Sequence, residues 1–166
     1  MNEAIIYNWN NVVAAEDTVY VLGDLSMGEV SNAIPLIKRL NGHIVLIRGN
    51  HDNAKRMAAY RELGIEIRDI SYLNYKGRFF VMCHFPLPPE MGRMVTHDNS
   101  EVVMLYGHVH GKAPKGFVDG GYHVGLDTNN LTPISLEQVW KECWTDELMK
   151  NSEVHSYYEE RKDDKE

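Results

Sequence analysis

Two histidines stand one residue apart in the stretch YGHVHGK, which runs from Tyr106 to Lys112. On an extended backbone, His108 and His110 would project to the same side, because alternate residues of a strand share a face. The pair could bind one metal ion together, or each histidine could serve a different ion. The spacing alone leaves both arrangements open.

Three other stretches share one layout, in which an apolar run is followed by a tight turn that carries a metal-binding type of side chain. They are VLGDLS with Asp24, LIRGNHDN with Asn50, His51 and Asp52, and VMCHFP with His84. Carboxylate, amide and imidazole groups together suit a borderline divalent ion such as Mn, Fe, Co, Ni or Zn. The two cysteines have no metal-ligand spacing, which argues against a closed structural zinc site.

Each stretch taken alone also has a structural explanation. Asp24 after a glycine is typical of a turn, Asp52 or Asn53 could cap a helix, and His84 could be a core histidine. The GHVH pair is harder to explain by packing. The carboxyl ends of strands in an α/β sheet are where ligands bind, so all four stretches together indicate a shared metal site.

The first half of the chain alternates helix and strand patterns. Helices are predicted near the N-terminus, from about Ser31 with Pro35 in its first turn, and over residues 54–63. Buried strands are predicted over residues 18–22 and in HIVLIRGN. This alternation favours a parallel sheet and an α/β fold.

The second half changes to short strands. EIRDISYLNYKGRFFVMCH predicts two strands around a turn at residues 75–77, and EVVMLYGH and GYHVGLD predict further strands. SLEQVWKECW predicts a helix capped by Ser135. We therefore predict one domain over residues 1–145 and a charged C-terminal tail over residues 146–166.

Composition restricts the class of protein. The chain has 166 residues, of which 43% are apolar and 25% charged, as expected for one soluble globular domain. Its net charge of −7 argues against a general nucleic-acid partner. The sequence has neither a membrane-length apolar run nor a signal-peptide pattern, so we expect a cytoplasmic protein.

The order GD, GNHD, H and GHVH resembles the calcineurin-like metallophosphoesterases. The resemblance extends over about Val19 to Leu126 and is closest to the small bacterial and phage members that lack a large cap. It implies a four-layer α-β-β-α sandwich with two divalent ions between its two sheets. It also implies hydrolysis of a phosphomonoester or phosphodiester, with a small phosphoester as the partner and a metal-activated water as the nucleophile.

The resemblance also assigns the metal ligands. Asp24 would bridge the two ions, and Asn50, His84 and His108 would complete the second site. His110 would bind the first ion. The two histidines of GHVH would therefore serve different ions.

Further residues are assigned to the phosphate. His51, held by Asp52, would contact the scissile phosphate and protonate the leaving oxygen. Arg48 is a weaker candidate for phosphate contact, because a solvated cation at a strand end explains it equally well.

The family's first strand, which carries Asp-x-His, has no counterpart before Asp24. The resemblance therefore implies that the first central strand is missing and that the first ion keeps only Asp24 and His110. The start could be misassigned or truncated, which we favour, the chain could be degenerate, or another segment or chain could fill the gap. The alternative to an active phosphoesterase is thus a catalytically weak module that binds a single ion.

Overall fold

The computed structural model describes residues 1–88, 91, 102–112, 117–118 and 121–143. The helices are α1 (Asn2–Val12), α2 (Val30–Ile37), α3 (Ala54–Glu62) and α4 (Leu136–Cys143). The strands are β1 (Thr18–Val21), β2 (His43–Ile47), β3 (Glu66–Arg68), β4 (Ser71–Tyr75), β5 (Arg78–Met82), β6 (Val102–Tyr106), β7 (Phe117–Val118) and β8 (Gly121–His123). A 3-10 turn, His110–Lys112, follows β6. The predicted tail lies outside the described residues.

Two sheets form the centre of the molecule. The first has the order β1-β2-β3 and is wholly parallel, as the alternating pattern predicted. The second has the order β4-β5-β6-β8-β7, with β5, β6 and β8 parallel and an antiparallel strand at each edge. Among the described residues β1 pairs only with β2. This mixed α/β architecture with two sheets confirms the predicted fold class.

The first sheet is packed on both faces. Leu46 and Ile47 are neighbours on β2, so their side chains point to opposite faces. Leu46 belongs to a core cluster with Tyr60 of α3 and residues of α2, whereas Ile47 belongs to a second cluster with residues of β5 and β6. Each buried side chain of this size contributes about 1.5–3 kcal/mol. The packing fixes the two sheets against each other and so fixes the positions of their strand ends.

The position of Pro35 was predicted wrongly. It is the sixth residue of α2, not a residue of its first turn. Proline has no N–H, so the hydrogen bond that this position would donate to the carbonyl of Ser31 is missing. The helix nevertheless forms because Ala33 and Ile37 are buried in the core beneath it.

The segment before His84 holds one strand more than predicted. The short β3 (Glu66–Arg68) joins the first sheet, and the chain then crosses at Asp69 and Ile70 to begin β4 in the second sheet. The predicted turn at residues 75–77 does join β4 to β5. The N-cap of α4 is also confirmed, because the backbone N–H of Gln138 donates to Ser135 Oγ over 3.1 Å.

Candidate metal centre

Four strand ends, two from each sheet, bring four polar side chains together. They follow β1, β2, β5 and β6 and are Asp24, Asn50, His84 and His108, here called the converged cluster. Asn50 Oδ1 lies 2.8 Å from His84 Nε2 and 3.0 Å from His108 Nδ1. The two imidazole nitrogens are 3.1 Å apart, and Asp24 Oδ2 is 3.5 Å from His84 Nε2. The arrangement is the one expected of strand ends that meet at a ligand site.

Two glycines make this approach possible. A Cβ on Gly49 would lie 2.2 Å from Asp24 Oδ1 and 2.6 Å from the Asp24 backbone nitrogen. A Cβ on Gly23 would lie 2.1 Å from His84 Nδ1, and Gly23 also has a φ of +90°. The glycines of the GD and GNHD motifs therefore leave room for the ligands themselves.

Three of the five candidate ligands have a strained backbone. Asp24, His108 and His110 have φ values of 54°, 66° and 52°, and they are half of the six non-glycine residues with positive φ in the described part. A non-glycine residue in this region costs on the order of 1–3 kcal/mol and is maintained only where the surrounding structure enforces it. Such strain is typical of functional sites.

The hydrogen bonds of His84 leave its second nitrogen facing acceptors. Nδ1 lies 2.8 Å from the carbonyl oxygen of Leu22 and must donate to it, so Nε2 of the neutral ring carries a lone pair. That lone pair faces Asn50 Oδ1 and Asp24 Oδ2. If the Asn50 amide were rotated, its N–H could donate to His84 Nε2. Asp24 Oδ2 would then still face the same ring nitrogen with no hydrogen atom between them. A cation at this point satisfies all of these atoms at once.

The donor set therefore fits a divalent ion, with one carboxylate, one amide oxygen and two imidazoles. The amide is essential to the set, because the described ranges contain no group of three His, Cys, Asp or Glu side chains arranged to hold a metal by themselves. Asn50 Oδ1 is the atom that lies within hydrogen-bonding distance of both imidazoles.

Phe85 supports the two imidazoles, a role that the sequence did not reveal. Its ring centre lies 4.8 Å from that of His84 and 4.8 Å from that of His108, with edge-type geometry in both pairs. The two histidine rings are themselves 4.9 Å apart. Phe85 thus restricts how both rings can turn, although the residue remains 42% exposed.

Asp52 does not hold His51. Asp52 is 3% exposed, and its Oδ2 accepts the backbone N–H groups of Asp24 (2.7 Å) and Gly49 (2.9 Å). Its Oδ1 has no hydrogen-bond partner. His51 is exposed and donates its backbone N–H to Asp24 Oδ1 over 2.9 Å. The expected contact is absent because the carboxylate turns inward to satisfy two backbone groups.

Arg48 lines a cleft that opens beside Asn50. The cleft has a volume of about 540 Å³, and Met57 and Phe85 give it an apolar wall. Arg48 forms an ion pair of 2.8 Å with Asp69 across its rim, with both side chains at least half exposed. A guanidinium in this position could meet a phosphate next to the converged cluster.

Among the described residues, no hydrogen bond or ion pair joins His110 to the converged cluster. Its side chain is 81% exposed, and its Nδ1 is 3.7 Å from Asp127 Oδ2. His123 is buried close by, donates from Nδ1 to Thr128 Oγ1 over 3.0 Å, and has its pKa lowered by burial. We call His110, His123 and Asp127 the outlying group. Asp127 was not predicted as a site residue, and its only signal in the sequence was its place in the GYHVGLD stretch.

Comparisons with known proteins agree with these features. Residues 2–121 match the family model of the calcineurin-like phosphoesterase superfamily domain. An uncharacterized protein of Methanocaldococcus jannaschii is 34% identical over 148 residues, which cover 85% of this chain and 74% of that protein. The crystal structure of a protein of unknown function from Aquifex aeolicus is similar with a TM-score of 0.67 and 26% identity, covering 84% of this chain and 83% of that one.

Proposed function

Because the chain belongs to the calcineurin-like phosphoesterase superfamily, we propose that it hydrolyses a phosphomonoester or phosphodiester with a dinuclear divalent metal centre. The observation that carries the proposal is the meeting of His84 Nε2 with Asn50 Oδ1 at 2.8 Å and with Asp24 Oδ2 at 3.5 Å, at a point where four strand ends converge. Manganese, iron, nickel, cobalt and zinc all suit such a donor set. The superfamily makes a metal-dependent hydrolase of phosphoesters the expected class of enzyme.

The chain's own residues have distinct parts in this reaction. Asn50, His84 and His108 would hold one ion, Asp24 would bridge to its neighbour, and His110 would bind the neighbour. Bound ions would neutralise the developing phosphoryl charge and lower the pKa of a bound water to near neutrality. The protein contributes the placement of Asp24, Asn50, His84 and His108 by four strand ends.

Substrate placement falls to the residues around the cluster. His51 is exposed, and its backbone is fixed by the hydrogen bond to Asp24, so its imidazole is available to protonate a leaving oxygen. Arg48 would contact the phosphate from the cleft, after exchanging its ion pair with Asp69. A small phosphoester could occupy the cleft of about 540 Å³, and the net charge of −7 speaks against nucleic acid.

The proposed test is hydrolysis of a generic aryl phosphate in the presence of Mn²⁺ or Ni²⁺. Asn50→Ala and His84→Ala should each abolish turnover because both remove a ligand of the converged cluster. His43→Ala is the control, because His43 is an exposed histidine at the opposite end of β2. Wild-type protein that shows no hydrolysis with any of the divalent ions would overturn the proposal.

A second candidate function is a module that binds one ion and has little activity. It is favoured by the exposure of His110, whose ring has only Asp127 nearby as an ion-pair partner in the described structure. The number of ions per chain separates the two candidates. One ion without turnover supports the module, and two ions with turnover rule it out.

We also propose that the protein works in the cytoplasm. Both cysteines are buried and free, as expected of a protein in a reducing compartment. In the described residues, no helix combines the length and the apolar character needed to cross a bilayer. Detection of the tagged protein in the cytoplasmic fraction of its host would support the assignment.

A further inference from the structure

We propose that Asp52 is a positioning residue that fixes the backbone of Asp24 in its strained conformation and so sets the geometry of the metal centre. The inference rests on the proposed function, since it assigns Asp52 a part in ion binding. It replaces the contact between Asp52 and His51 that the family resemblance implied. Asp52 itself would touch neither the ion nor the substrate.

The two loops at the ends of β1 and β2 are joined by reciprocal hydrogen bonds. Asp52 Oδ2 accepts the N–H of Asp24 over 2.7 Å, and Asp24 Oδ1 accepts the N–H of His51 over 2.9 Å. Each loop therefore provides a carboxylate that accepts from the backbone of the other. The Asp24 carboxylate is held at its Oδ1, which leaves Oδ2 directed at His84.

Asp52 also fixes the position of Gly49. The same Oδ2 accepts the N–H of Gly49 over 2.9 Å, and this bond is buried. Gly49 is the residue on which a Cβ would lie 2.2 Å from Asp24 Oδ1. One carboxylate oxygen therefore determines how closely the two loops approach each other.

The conformation of Asp24 needs such support. Its φ of 54° lies in a region that a non-glycine residue adopts only when its surroundings enforce it. The N–H group that Asp52 accepts belongs to this strained residue. Without that acceptor, the Asp24 backbone would be free to relax and would carry its carboxylate away from His84.

The Asp52 carboxylate is buried without serving as a helix cap. Asp52 Oδ1 is buried and accepts no hydrogen bond, an arrangement that is costly for a carboxylate. Helix α3 does not use Asp52 as its cap, because Asn53 Oδ1 accepts the N–H of Arg56 in that role. The burial of Asp52 is therefore explained by its hold on the two loops.

The experiment compares Asp52→Ala and Asp52→Asn with wild type in Co²⁺ titrations, below the unfolding temperature of every variant. Asp52→Ala removes the acceptor, and we expect ion affinity to fall at least about 10-fold, as for other residues that orient metal ligands. The visible absorption of bound Co²⁺ should also change, because Asp24 is no longer held. Asp52→Asn keeps an oxygen that can accept both N–H groups, so it should stay close to wild type.

The matched control is Asp17→Ala, because Asp17 Oδ2 likewise accepts a backbone N–H, that of Ala14, over 2.8 Å but outside the converged cluster. It should leave both the affinity and the absorption spectrum unchanged. Amide hydrogen exchange of the ion-free protein provides a second measurement. Exchange at Asp24 and Gly49 should accelerate in Asp52→Ala and not in Asp17→Ala.

Two results would overturn the positioning role while leaving the proposed function intact. The first is wild-type affinity and spectrum in folded Asp52→Ala, and the second is an Asp52→Asn variant that loses as much affinity as Asp52→Ala. Wild-type protein that binds no ion would instead defeat the proposed function, and the positioning role with it. If Asp52→Ala does not fold, Asp52→Glu replaces it, since it moves the carboxylate by one methylene and should also weaken binding.

Discussion

The converged cluster and the outlying group both contain two imidazoles and a carboxylate, but they are held differently. In the converged cluster, Asn50 Oδ1 lies 2.8 Å and 3.0 Å from the two imidazoles, and His84 is 2% exposed. In the outlying group, the ion pair between His110 and Asp127 spans 3.7 Å. Its two imidazoles differ, because His123 is as buried as His84 whereas the His110 side chain is 81% exposed. The converged cluster therefore differs in having the Asn50 amide, whose oxygen lies within 3.0 Å of both imidazoles, and in the closer contacts among its ligands.

Sheet packing accounts for that difference. The four residues of the converged cluster follow strands from both sheets, and the core between the sheets fixes the strand ends. His110 begins a 3-10 turn, and Asp127 lies in the turn after β8. We therefore expect the tightest ion at the converged cluster, where four strand ends meet.

The largest effect should come from Gly49→Ala, with Gly125→Ala as its counterpart in the outlying group. A Cβ at Gly49 meets Asp24 at 2.2 Å and 2.6 Å, and the backbone of Asp24 is anchored by Asp52. We expect Gly49→Ala to weaken the tightest ion by more than the roughly 10- to 100-fold typical of residues that only orient ligands.

Gly125→Ala introduces a clash of similar size but with side-chain atoms, at 2.5 Å from His123 Cε1 and 2.6 Å from Asp127 Oδ1. It should lower the unfolding temperature and change affinity for the tightest ion less than about 10-fold, or ~1.4 kcal/mol. Isothermal titration and thermal unfolding of both variants measure these effects. Equal losses of ion affinity would show that the two regions do not differ as the structure suggests.

His108→Ala and His110→Ala compare the two histidines of the GHVH motif, of which His108 belongs to the converged cluster and His110 to the outlying group. His108 Nδ1 lies within 3.1 Å of two other ligands, so its loss should weaken the tightest ion at least about 10- to 100-fold. His110→Ala should leave that ion in place. It should lower either the turnover or the amount of a second metal ion bound per chain. Metal content per chain, measured together with aryl phosphate hydrolysis, distinguishes the two variants, and the reverse order would contradict the assignment of His108.

Phe85→Leu tests whether ring packing adds to the rigidity of the converged cluster. Each aromatic pair is worth about 0.5–1.5 kcal/mol beyond its buried area, and Phe85 forms two such pairs with the imidazoles. We expect a loss of ion affinity of up to about 10-fold. Tyr72→Leu is the control, because Tyr72 is a 54% exposed aromatic on β4. Identical affinities in the two variants would mean that Phe85 does not orient the rings.

The sequence predicted those parts of the centre that depend on local patterns. Asp24, Asn50, His84 and His108 each follow a readable strand and a turn, and glycines or polar residues mark those turns. The convergence of these residues follows from the general rule for strand ends. These features could be predicted because each one depends on a few neighbouring residues.

The features that the sequence did not reveal depend on contacts between distant segments. The inward turn of Asp52 depends on the N–H of Asp24, 28 residues away, and the proximity of Asp127 to His110 depends on the pairing of β6 with β8. The role of Phe85 requires His108, which comes from the next strand of the sheet. The short β3 was missed because three residues carry too little pattern.

The smallest effect should come from Asp127→Asn, which removes the charge that pairs with His110 in the outlying group. The Asp127 side chain is 39% exposed and the His110 side chain 81% exposed, so solvent screens their attraction. An exposed pair of this kind contributes at most about 1 kcal/mol, so turnover should fall by no more than roughly 5-fold. Asp69→Asn, which breaks the exposed ion pair with Arg48, provides a matched comparison. A loss of 100-fold in Asp127→Asn, with unchanged thermal stability, would show that substrate or ion binding organises the outlying group into a site as rigid as the converged cluster.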